Sequence, residues 1–368
     1  MTNLLLALVS LAILLFFLVI ENILSRKRRK RLKIVIQVNG TRGKSETVRL
    51  IHSALKANGF SVLGKTTGTV PLWITPDGRH VEVVRHGPAN IQEQYLALKK
   101  SERDNCNALV VECMAIKPEM QLSSMRIVEA DITVITNSYP DHIEEIGADE
   151  IETAKVLSLS ITPGGICVLG NVSSGAMESV KNHCSRIDTR LVTVTSKAED
   201  TAGFRFEPNE ENLSIALKVV ELLDLDREKA LEGMREALPD VGTFRYLHLG
   251  DGIEDAVLAN AFAANDIRST SLLLKKARQD FPDRPLVGFF NSRDDRPDRA
   301  LVFEAMIREF DRIIVRGPVP QRILKSKNVE KLKDPSRLYS LLQGHELVFG
   351  FGNIRGLVQW LSGLEEIR

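Results

Sequence analysis

A short glycine-containing segment is the part of this sequence best suited to chemistry. Residues 40–45 read Gly-Thr-Arg-Gly-Lys-Ser and directly follow the apolar run 34–38. A glycine turn lets backbone N–H groups approach phosphate oxygens, and the start of a following helix adds partial positive charge. Lys44 would neutralise phosphate charge, and the Ser45 hydroxyl would reach a Mg²⁺ ion. The segment therefore predicts a site for the phosphates of ATP.

The spacing of this loop differs from that of the commonest phosphate-binding loop, which would have glycine at the position of Val38. A shorter loop is expected. The alternative is an ordinary strand–turn–helix junction in which Gly-Lys-Ser occurs by chance. The spacing of Val48, Ile51 and Leu55 predicts an amphipathic helix after the loop, and this favours the phosphate site.

Polar side chains also follow two other apolar runs. Glu112 ends the run 108–112, where a carboxylate would lie beside the phosphates and hold Mg²⁺ through a hard oxygen ligand. Asp141 and His142 stand together shortly after the run 132–136. Alone, the glutamate could be a solvated strand end and the histidine a loop residue with a local hydrogen bond. Open α/β sheets bind ligands at the ends of their strands, so the combination favours a joint site.

Apolar runs alternate with helical patterns along the chain, which predicts an α/β fold with mostly parallel sheets. The polar stretch 238–243 predicts a linker. We therefore expect a transmembrane anchor at 1–25, an ATP-binding P-loop domain at 26–243 and a smaller Rossmann-like domain at 244–368. Strands are predicted at 34–38, 61–63, 108–112, 132–136, 166–169, 255–260, 285–291, 312–315 and 346–349, and helices at 44–58, 91–100, 212–223, 226–237, 269–279, 299–310 and 338–343.

The N-terminus predicts a single membrane-spanning helix. Only Ser10 interrupts the apolar run from Leu4 to Ile20, whose 17 residues are near the lower limit for crossing a bilayer. A cleaved signal peptide would carry its positive residues before the apolar run, whereas here they follow it. The positive-inside rule then places the rest of the chain in the cytoplasm. The basic residues are Arg26, Lys27, Arg28, Arg29, Lys30, Arg31 and Lys33.

The overall composition is that of a globular protein. Of the 368 residues 43% are hydrophobic and 26% charged, which excludes a disordered chain. The net charge of +1 gives no indication of nucleic-acid binding. The four cysteines show no C-x-x-C spacing, so free thiols are expected in the reducing cytosol.

The order of these motifs resembles the Mur ligase family of ATP-dependent amide ligases. Its members carry G-T-x-G-K-[ST], a glutamate at a strand end and T-N-x-x-x-D-H in this order, as residues 40–45, Glu112 and 136–142 do here. Further segments, together with the anchor, are similar to the subgroup that joins glutamate through γ-amide bonds. These segments are 64–69, 262–266 and 291–297.

The resemblance implies a reaction and its participants. ATP, with Mg²⁺ or Mn²⁺, would convert a carboxylate of a growing polyglutamate chain into an acyl phosphate, which the amine of glutamate then attacks. The polymer would serve as capsule or slime, and small membrane subunits of a synthase and export complex would be partners, with a homo-oligomer as a further expectation. The alternatives are another ligase of the family, acting on folate or cell-wall peptides, and a membrane-tethered P-loop ATPase for transport. The apolar segment 4–20 counts against a soluble folate ligase.

The resemblance also implies roles for individual residues. Lys155 matches a position where many family members carry a carbamylated lysine, although an exposed helix lysine or a direct phosphate contact would also fit. ATP contacts are implied for Gly40, Thr41, Arg42, Gly43, Lys44, Ser45, Glu46, Asn212, Arg245 and Asp295. Metal contacts are implied for Ser45, Glu112, His142 and Lys155, and catalytic roles for Lys44, His142 and Lys155.

The chain departs from the family pattern in two places. Around Asn212 the family's H-N-x-x-N is changed, because Glu211 and Ile215 replace its histidine and second asparagine. A separate N-terminal domain for a nucleotide-linked peptide is not expected, so a polymer or a small amino acid fits better as substrate. The loop 71–88, which contains Trp73, His80, Arg85 and His86, predicts either part of the acceptor site or a surface hairpin.

Overall fold

A computed structural model gives the fold of residues 2–68, 71–85, 89–140, 143–194, 201–204, 208–250, 256–264, 267–292, 299–321 and 329–367. Two compact units divide the chain, Met1–Leu238 and Pro239–Arg368. The division falls at the start of the segment predicted as a linker, and the predicted domain limits at 25 and 243 remain predictions. All four cysteines are free.

The first unit begins with a single long helix, α1 (Thr2–Arg31). Its apolar part is long and hydrophobic enough to cross a membrane, judged by length and composition. The large apolar side chains described between Leu4 and Val19 are all exposed, whereas Ser25 is buried against the rest of the unit. The N-terminal half of α1 therefore has no protein surface covering it.

An eight-stranded sheet forms the centre of the first unit. Its order is β4-β3-β2-β5-β1-β6-β7-β8, with β2, β5, β1, β6, β7 and β8 parallel and the hairpin β3–β4 antiparallel beyond β2. The hairpin confirms one of the two interpretations of the loop 71–88. The strands are β1 (Ile34–Asn39), β2 (Val62–Thr66), β3 (Leu72–Ile74), β4 (His80–Glu82), β5 (Ala108–Glu112), β6 (Ile132–Ile135), β7 (Ile166–Leu169) and β8 (Arg190–Thr193).

Helices cover both faces of this sheet, which explains why its central strands are almost continuously apolar. Alternate strand residues point to opposite faces, so Ile36 and Val110 join the cluster under α2, α8 and α9, while Val35 and Leu109 join the cluster under α3 and α4. The helices are α2 (Lys44–Ala57), α3 (Glu93–Arg103), α4 (Pro118–Val128), α5 (Ile143–Ile146), α6 (Glu150–Ser158), α7 (Ser174–Arg186), α8 (Glu210–Leu222) and α9 (Arg227–Arg235).

The second unit contains a six-stranded sheet in the order β13-β12-β11-β14-β10-β9, parallel except for β9. Stacked and tilted rings, among them Phe310, Phe349 and Phe351, fill its core. Its strands are β9 (Tyr246–Leu249), β10 (Ala256–Asn260), β11 (Leu286–Asn291), β12 (Arg312–Arg316), β13 (Val329–Lys331) and β14 (Leu347–Gly352), and its helices α10 (Ile267–Asp280), α11 (Arg299–Val302), α12 (Glu304–Ile307) and α13 (Val358–Ser362).

The fold class is confirmed, but two predicted helices are wrong. The helix expected at 299–310 is interrupted at Phe303, which leaves the helical conformation at φ −89° and ψ 1° while its ring is buried. The helix expected at 338–343 is replaced by two 3₁₀ turns, Pro335–Arg337 and Tyr339–Leu341. Leu338 lies fully buried between these turns, so packing of that side chain overrides the helical pattern.

Candidate active site

The predicted phosphate loop lies between β1 and α2, at the end of a central strand. We call the ends of β1, β5 and β6 at Asn39, Glu112 and Ile135 the carboxyl edge of the sheet, and their starts the amino edge. Gly43 precedes α2 in a left-handed conformation at φ 80°, and no side chain caps this helix end. The first N–H groups of α2 are therefore left for a ligand, as an anion site requires.

The two glycines of the loop are required by close contacts. A Cβ atom on Gly40 would lie 2.0 Å from Thr136 Oγ1, and one on Gly43 would lie 2.3 Å from Asn212 Oδ1. Both residues also have positive φ, at 125° and 80°. A side chain on Gly40 would push the loop away from the end of β6, and one on Gly43 would collide with Asn212 of α8.

Lys44 points its amine back over the loop. Its Nζ donates to Gly40 O at 2.7 Å and lies 3.4 Å from Thr41 O. The amine therefore already lies over the position predicted for phosphate oxygens. A ligand phosphate would replace weak carbonyl partners with charged ones, which make stronger hydrogen bonds.

Asn137 holds the loop in this shape, a role that the motif alone did not indicate. Its Oδ1 accepts from Thr41 Oγ1 at 2.7 Å and from Arg42 N at 3.0 Å, and its Nδ2 donates to Arg42 O at 3.1 Å. Thr136 Oγ1 donates to the same carbonyl at 2.6 Å. The sequence could indicate this role through the position of Asn137. This residue follows β6, and β6 pairs with β1, the strand that precedes the loop.

Ser45 and Glu112, predicted to share a metal ion, are in direct contact. Ser45 Oγ donates to Glu112 Oε2 at 2.7 Å, and Thr67 N donates to the same oxygen at 2.7 Å. Glu112 is buried. Its second oxygen, Oε1, accepts no hydrogen bond from the described residues. A hydroxyl and a carboxylate with a spare oxygen are the hard ligands that Mg²⁺ takes in proteins.

Part of the phosphate loop and Glu112 line one cavity of about 280 Å³ at the carboxyl edge. Gly40, Thr41, Lys44 and Glu112 line it, and Leu157 of α6 closes one side. Among the described residues no group of three or more His, Cys, Asp or Glu side chains could hold a metal by itself. The donor set present fits a Mg²⁺ ion that takes its remaining ligands from phosphate and water.

Glu46 and Asn212 lie behind the loop and contact each other. Asn212 Nδ2 and Asn209 N donate to the two oxygens of Glu46, both at 2.8 Å. Burial raises the pKa of the Glu46 carboxyl, although both hydrogen bonds oppose the shift. In this arrangement the Asn212 side chain, held by Glu46, lies against Gly43. The amide group of Asn212 already donates a hydrogen bond to Glu46.

The remaining predicted residues do not line this cavity, belong to the second unit or lie outside the described residues. Lys155 is exposed on α6 and does not line the cavity. Arg245 belongs to the second unit, where its NH1 donates to Glu366 at 3.2 Å. Asp141, His142 and Asp295 lie outside the described residues, so the structure leaves their predicted roles open.

A buried ion-pair network close to the cavity was missed by sequence reasoning. Lys65 is fully buried with Nζ 2.9 Å from Glu93 Oε2, an ion pair without hydrogen-bond geometry. Arg85 donates two hydrogen bonds to Glu93, at 2.8 and 3.0 Å. Burial lowers the pKa of Lys65, and Glu93 opposes this. Burial would raise the pKa of Glu93, but Arg85 and Lys65 together bring it below its usual value.

This network connects to the carboxylate at the cavity. Thr67, two residues after Lys65, donates its N–H to Glu112, and Gln94, next to Glu93, donates to Glu112 O at 3.3 Å. The pair Lys65–Glu93 thus joins β2 to α3 at the place where both contact the end of β5. Trp73 is one of the residues of the loop 71–88 that could have formed part of an acceptor site. The structure places it in the buried core beside Lys65.

Comparison with known proteins decides the family. The family model of the Mur ligase middle domain matches residues 38–230. The chain belongs to the Mur ligase family. The model of the poly-gamma-glutamate synthase CapB C-terminal domain matches residues 246–366 of the same ligase.

Relatives of this Mur ligase extend over nearly the whole chain. It is 30% identical to PGA synthase CapB of Bacillus subtilis (strain 168), covering 96% of this chain and 95% of that protein. It is 29% identical to the capsule biosynthesis protein CapB of Bacillus anthracis, over 91% of this chain and 76% of that protein. The resemblance inferred from the motifs is therefore confirmed.

Solved structures share the fold of this Mur ligase. A folylpolyglutamate synthase from Thermotoga maritima superposes with a TM-score of 0.67 at 17% identity, covering 92% of this chain and 91% of that one. A bifunctional folylpolyglutamate synthase/dihydrofolate synthase from Yersinia pestis, complexed with AMPPNP and a Mn ion, gives 0.68 at 14% identity, covering 92% and 90%. At these identities the likeness shows the fold alone.

Proposed function

We propose that this Mur ligase uses ATP to extend a γ-linked polyglutamate chain at the membrane surface, with release of ADP and phosphate. The observation that supports ATP use most directly is that Lys44 and Glu112 line one cavity at an uncapped helix end, with Ser45 hydrogen-bonded to Glu112. The CapB-type match over 246–366 and the CapB relatives support glutamate as the substrate.

Binding of the phosphates is assigned to the loop and the start of α2. The N–H groups of Arg42 and Thr41 are already held by Asn137. The backbone N–H groups of Gly43, Lys44 and Ser45 would therefore face the phosphates. The side-chain amine of Lys44 would face them as well. Ser45 and Glu112 would hold Mg²⁺, with His142 and a carbamylated Lys155 proposed to complete the metal sites. The metal would supply positive charge that stabilises the transferring phosphoryl group.

The reaction requires two transfers. A carboxylate oxygen at the end of the chain forms a bond to the γ-phosphorus while the bond to the ADP oxygen breaks. The amine of glutamate then attacks the acyl phosphate carbon, phosphate leaves and the amine loses a proton, which gives the amide. In the first transfer Lys44 stabilises negative charge on the γ-phosphate, a contribution of the oxyanion-stabilising kind.

The position of the carboxylate substrate is proposed from the lining of the cavity. Thr67 and Ala89 both line it, and they flank the hairpin β3–β4 in the sequence. The residues of β3 in this hairpin are buried, and Arg85, which follows β4, is paired with Glu93. We therefore expect backbone groups near Thr67 and Ala89, more than the hairpin's side chains, to border the reacting carboxylate.

A membrane location and a larger assembly complete the proposal. The apolar, exposed first half of α1 supports a single membrane anchor, with the basic residues after it on the cytoplasmic side. Small membrane subunits of a synthase and export complex would receive the polymer, and homo-oligomerisation is a further expectation. A transport ATPase with the same loop would form no polymer, which separates it from this proposal.

The test is ATP-dependent incorporation of labelled glutamate by membranes containing the full chain, with its partner subunits co-expressed. Polymer that a γ-specific hydrolase digests is expected from the native chain, and none from Lys44→Ala or His142→Ala. Lys56→Ala is the matched control, because Lys56 lies on the same helix α2 but does not line the cavity, and among the described residues its amine donates to Asp77 O. ATP hydrolysis without polymer, even with the partner subunits present, would refute the ligase and favour the transport ATPase.

A further inference from the structure

The helix α1 ends at the amino edge of the first sheet. Lys33 N, two residues after α1, donates to Asn107 O at 2.7 Å, beside the starts of β1 and β5. Arg29 Nε donates to Glu129 O at 2.8 Å, and its NH2 donates to Asp131 Oδ1 at 2.7 Å, just before β6 begins. The C-terminal end of α1 is thus attached to two connections of the amino edge, those before β5 and β6.

From this attachment α1 runs back along α3 toward the carboxyl edge. Arg28 Nε donates to Glu102 in the last turn of α3 at 2.9 Å. The first turn of α3 lies at the opposite end of the sheet, because Gln94 donates to Glu112 O. There Tyr95 has a pKa raised by partial burial and by the nearby carboxylate of Glu21. Because α1 packs against both α3 and α4, and Arg28 meets the last turn of α3, the two helices run parallel, with Glu21 near the first turn of α3.

The dimensions agree with this arrangement. From Arg31 back to Glu21, a rise of 1.5 Å per residue gives about 15 Å along α1. The strand β1, at about 3.3 Å per residue, spans about 17 Å from the amino edge to the phosphate loop. Residue 21 is consequently level with the carboxyl edge, and the apolar run 4–20 continues beyond the sheet on the side of the phosphate loop.

A second observation concerns exposed apolar side chains in the first unit. Val84 before Ala89, Leu96 in the first turn of α3 and Met120 in the first turn of α4 are 79%, 51% and 41% exposed. All three lie at the carboxyl edge, Leu96 and Met120 on the helices that contact α1 and Val84 after the end of β4, and we call them the apolar rim. In the described connections of the amino edge, 32–33, 58–61, 104–107 and 129–131, no large apolar side chain is exposed to this degree.

We propose that the carboxyl edge beside α1 rests on the bilayer surface through the apolar rim, so that the phosphate loop and Glu112 work at the level of the lipid headgroups. The proposal rests on the membrane anchor proposed above. The bilayer is the occupant of the rim because the same helix that packs on α3 continues directly into the apolar run. Tyr95 beside Glu21 would occupy the interfacial level that tyrosine prefers.

The orientation would be fixed rather than free, because the ion pairs of Arg28 and Arg29 join α1 to the sheet. A polyanionic product would then be elongated next to the membrane that it must cross. The opposite arrangement, with the amino edge toward the bilayer, would place the phosphate loop at least the length of β1 away from the headgroups.

The test compares two labels on one helix in the full chain. The chain is reconstituted in phosphatidylethanolamine–phosphatidylglycerol vesicles that contain a headgroup-spin-labelled lipid. A fluorophore is placed at Leu96→Cys or, as the matched control, at Arg103→Cys, seven residues and about 10 Å further along α3. Both variants carry Cys106→Ser, because the other three cysteines are buried.

We expect quenching at position 96 to exceed that at 103 at least threefold, with Val84→Cys behaving like 96. Equal quenching at both positions, or stronger quenching at 103, would overturn the orientation. A chain that does not float with the vesicles would refute the anchor itself, whereas a floating chain with an unquenched label at 96 refutes only the orientation. If the label at position 96 is shielded from water only when the synthase's membrane subunits are present, the rim binds protein and the bilayer proposal is wrong.

Discussion

Two carboxylates at opposite edges of one sheet show how this protein separates stability from chemistry. Asp131, at the amino edge, has both oxygens engaged, since Oδ1 accepts from Arg29 and Oδ2 accepts from Val35 N, each at 2.7 Å. Glu112, at the carboxyl edge, accepts two hydrogen bonds on Oε2, while Oε1 accepts none from the described residues. Asp131 is the more exposed of the two, yet Glu112 has the spare oxygen and faces the cavity.

The same contrast holds for the helices at the two edges. The end of α1 at the amino edge has its arginines paired with carboxylates and a carbonyl, whereas the start of α2 at the carboxyl edge has no cap at all. Groups that are fully paired hold the fold together, whereas the carboxyl edge keeps hydrogen-bonding capacity for a ligand, in the first N–H groups of α2 and in Oε1 of Glu112. Changes at the carboxyl edge should therefore reduce activity, and changes at the amino edge should reduce stability.

The largest expected effect is that of Glu112→Gln. Removing the charge that would hold the metal should reduce polymer synthesis by about 10²- to 10³-fold, the range seen when one charge-stabilising group is lost. The amide still accepts from Ser45 or Thr67, so the free energy of unfolding should change by less than about 1 kcal/mol. Steady-state rates and urea unfolding measure the two quantities. An active variant with a large loss of stability would reverse the assignment of the two edges.

Glu93→Gln would test whether the buried network near the cavity acts as support. The substitution leaves Lys65 buried without an opposite charge, which should cost about 3–5 kcal/mol in the free energy of unfolding. Urea unfolding measures it. The double variant Lys65→Met, Glu93→Met is the control, because it removes both charges and should recover much of the loss. If the single variant is as stable as the native chain, the network does not support β2.

Lowering the pH should destabilise the amino edge through His52. Burial lowers the pKa of His52 to about 4 from 6.5, and its Nε2 lies 3.1 Å from Val62 O at the start of β2. As the pH falls from 6.5 to 4, the unfolded chain binds a proton that the folded chain does not. Stability should therefore fall with the pH across this range, by about 3 kcal/mol in total at about 1.4 kcal/mol per unit.

Urea unfolding as a function of pH measures this contribution, and His52→Gln serves as the control. The variant should lose the part of the pH dependence between 6.5 and 4 that belongs to this residue. A curve with unchanged slope would mean that His52 is not buried as described.

The smallest effect is expected for Asp131→Asn. Its pair with Arg29 is partly exposed, with 42% of the aspartate side chain accessible, and such pairs contribute up to about 1 kcal/mol. Activity should stay within twofold of the native value, whereas Glu112→Gln should nearly abolish it. Parallel assays of the two variants give the direct comparison of the edges, and a tenfold loss of activity in Asp131→Asn would contradict it.

Much of the carboxyl edge could be predicted because its signals are local. The phosphate loop needs Gly, Lys and Ser in a fixed order, and Glu112 ends a five-residue apolar strand. The residues that hold the loop and the neighbouring strands in place could not be predicted in the same way. Asn137 contacts residues 41 and 42, and Lys65 contacts Glu93, so each pair is far apart in the sequence and leaves no local pattern. The order of the strands in the sheet brings these residues together at the site.

The missed and wrong elements have physical reasons as well. β3, β4 and β13 have three residues each, too few to show an alternating pattern. β9 pairs antiparallel at a sheet edge, where a strand–helix–strand alternation gives no indication of it. The helical pattern at 338–343 failed because only Leu338 of its apolar residues is fully buried, and it lies between two 3₁₀ turns.

The most direct test of the central claim follows an oxygen atom through the reaction. A polyglutamate acceptor with ¹⁸O in its terminal carboxylates is incubated with ATP, glutamate whose carboxylates also carry ¹⁸O, and membranes containing the native chain. If a carboxylate attacks the γ-phosphate, each new amide releases ADP and a phosphate that carries one ¹⁸O. Release of ADP with unlabelled phosphate would mean that water attacked instead, as in a transport ATPase, and release of AMP with pyrophosphate would contradict the acyl phosphate.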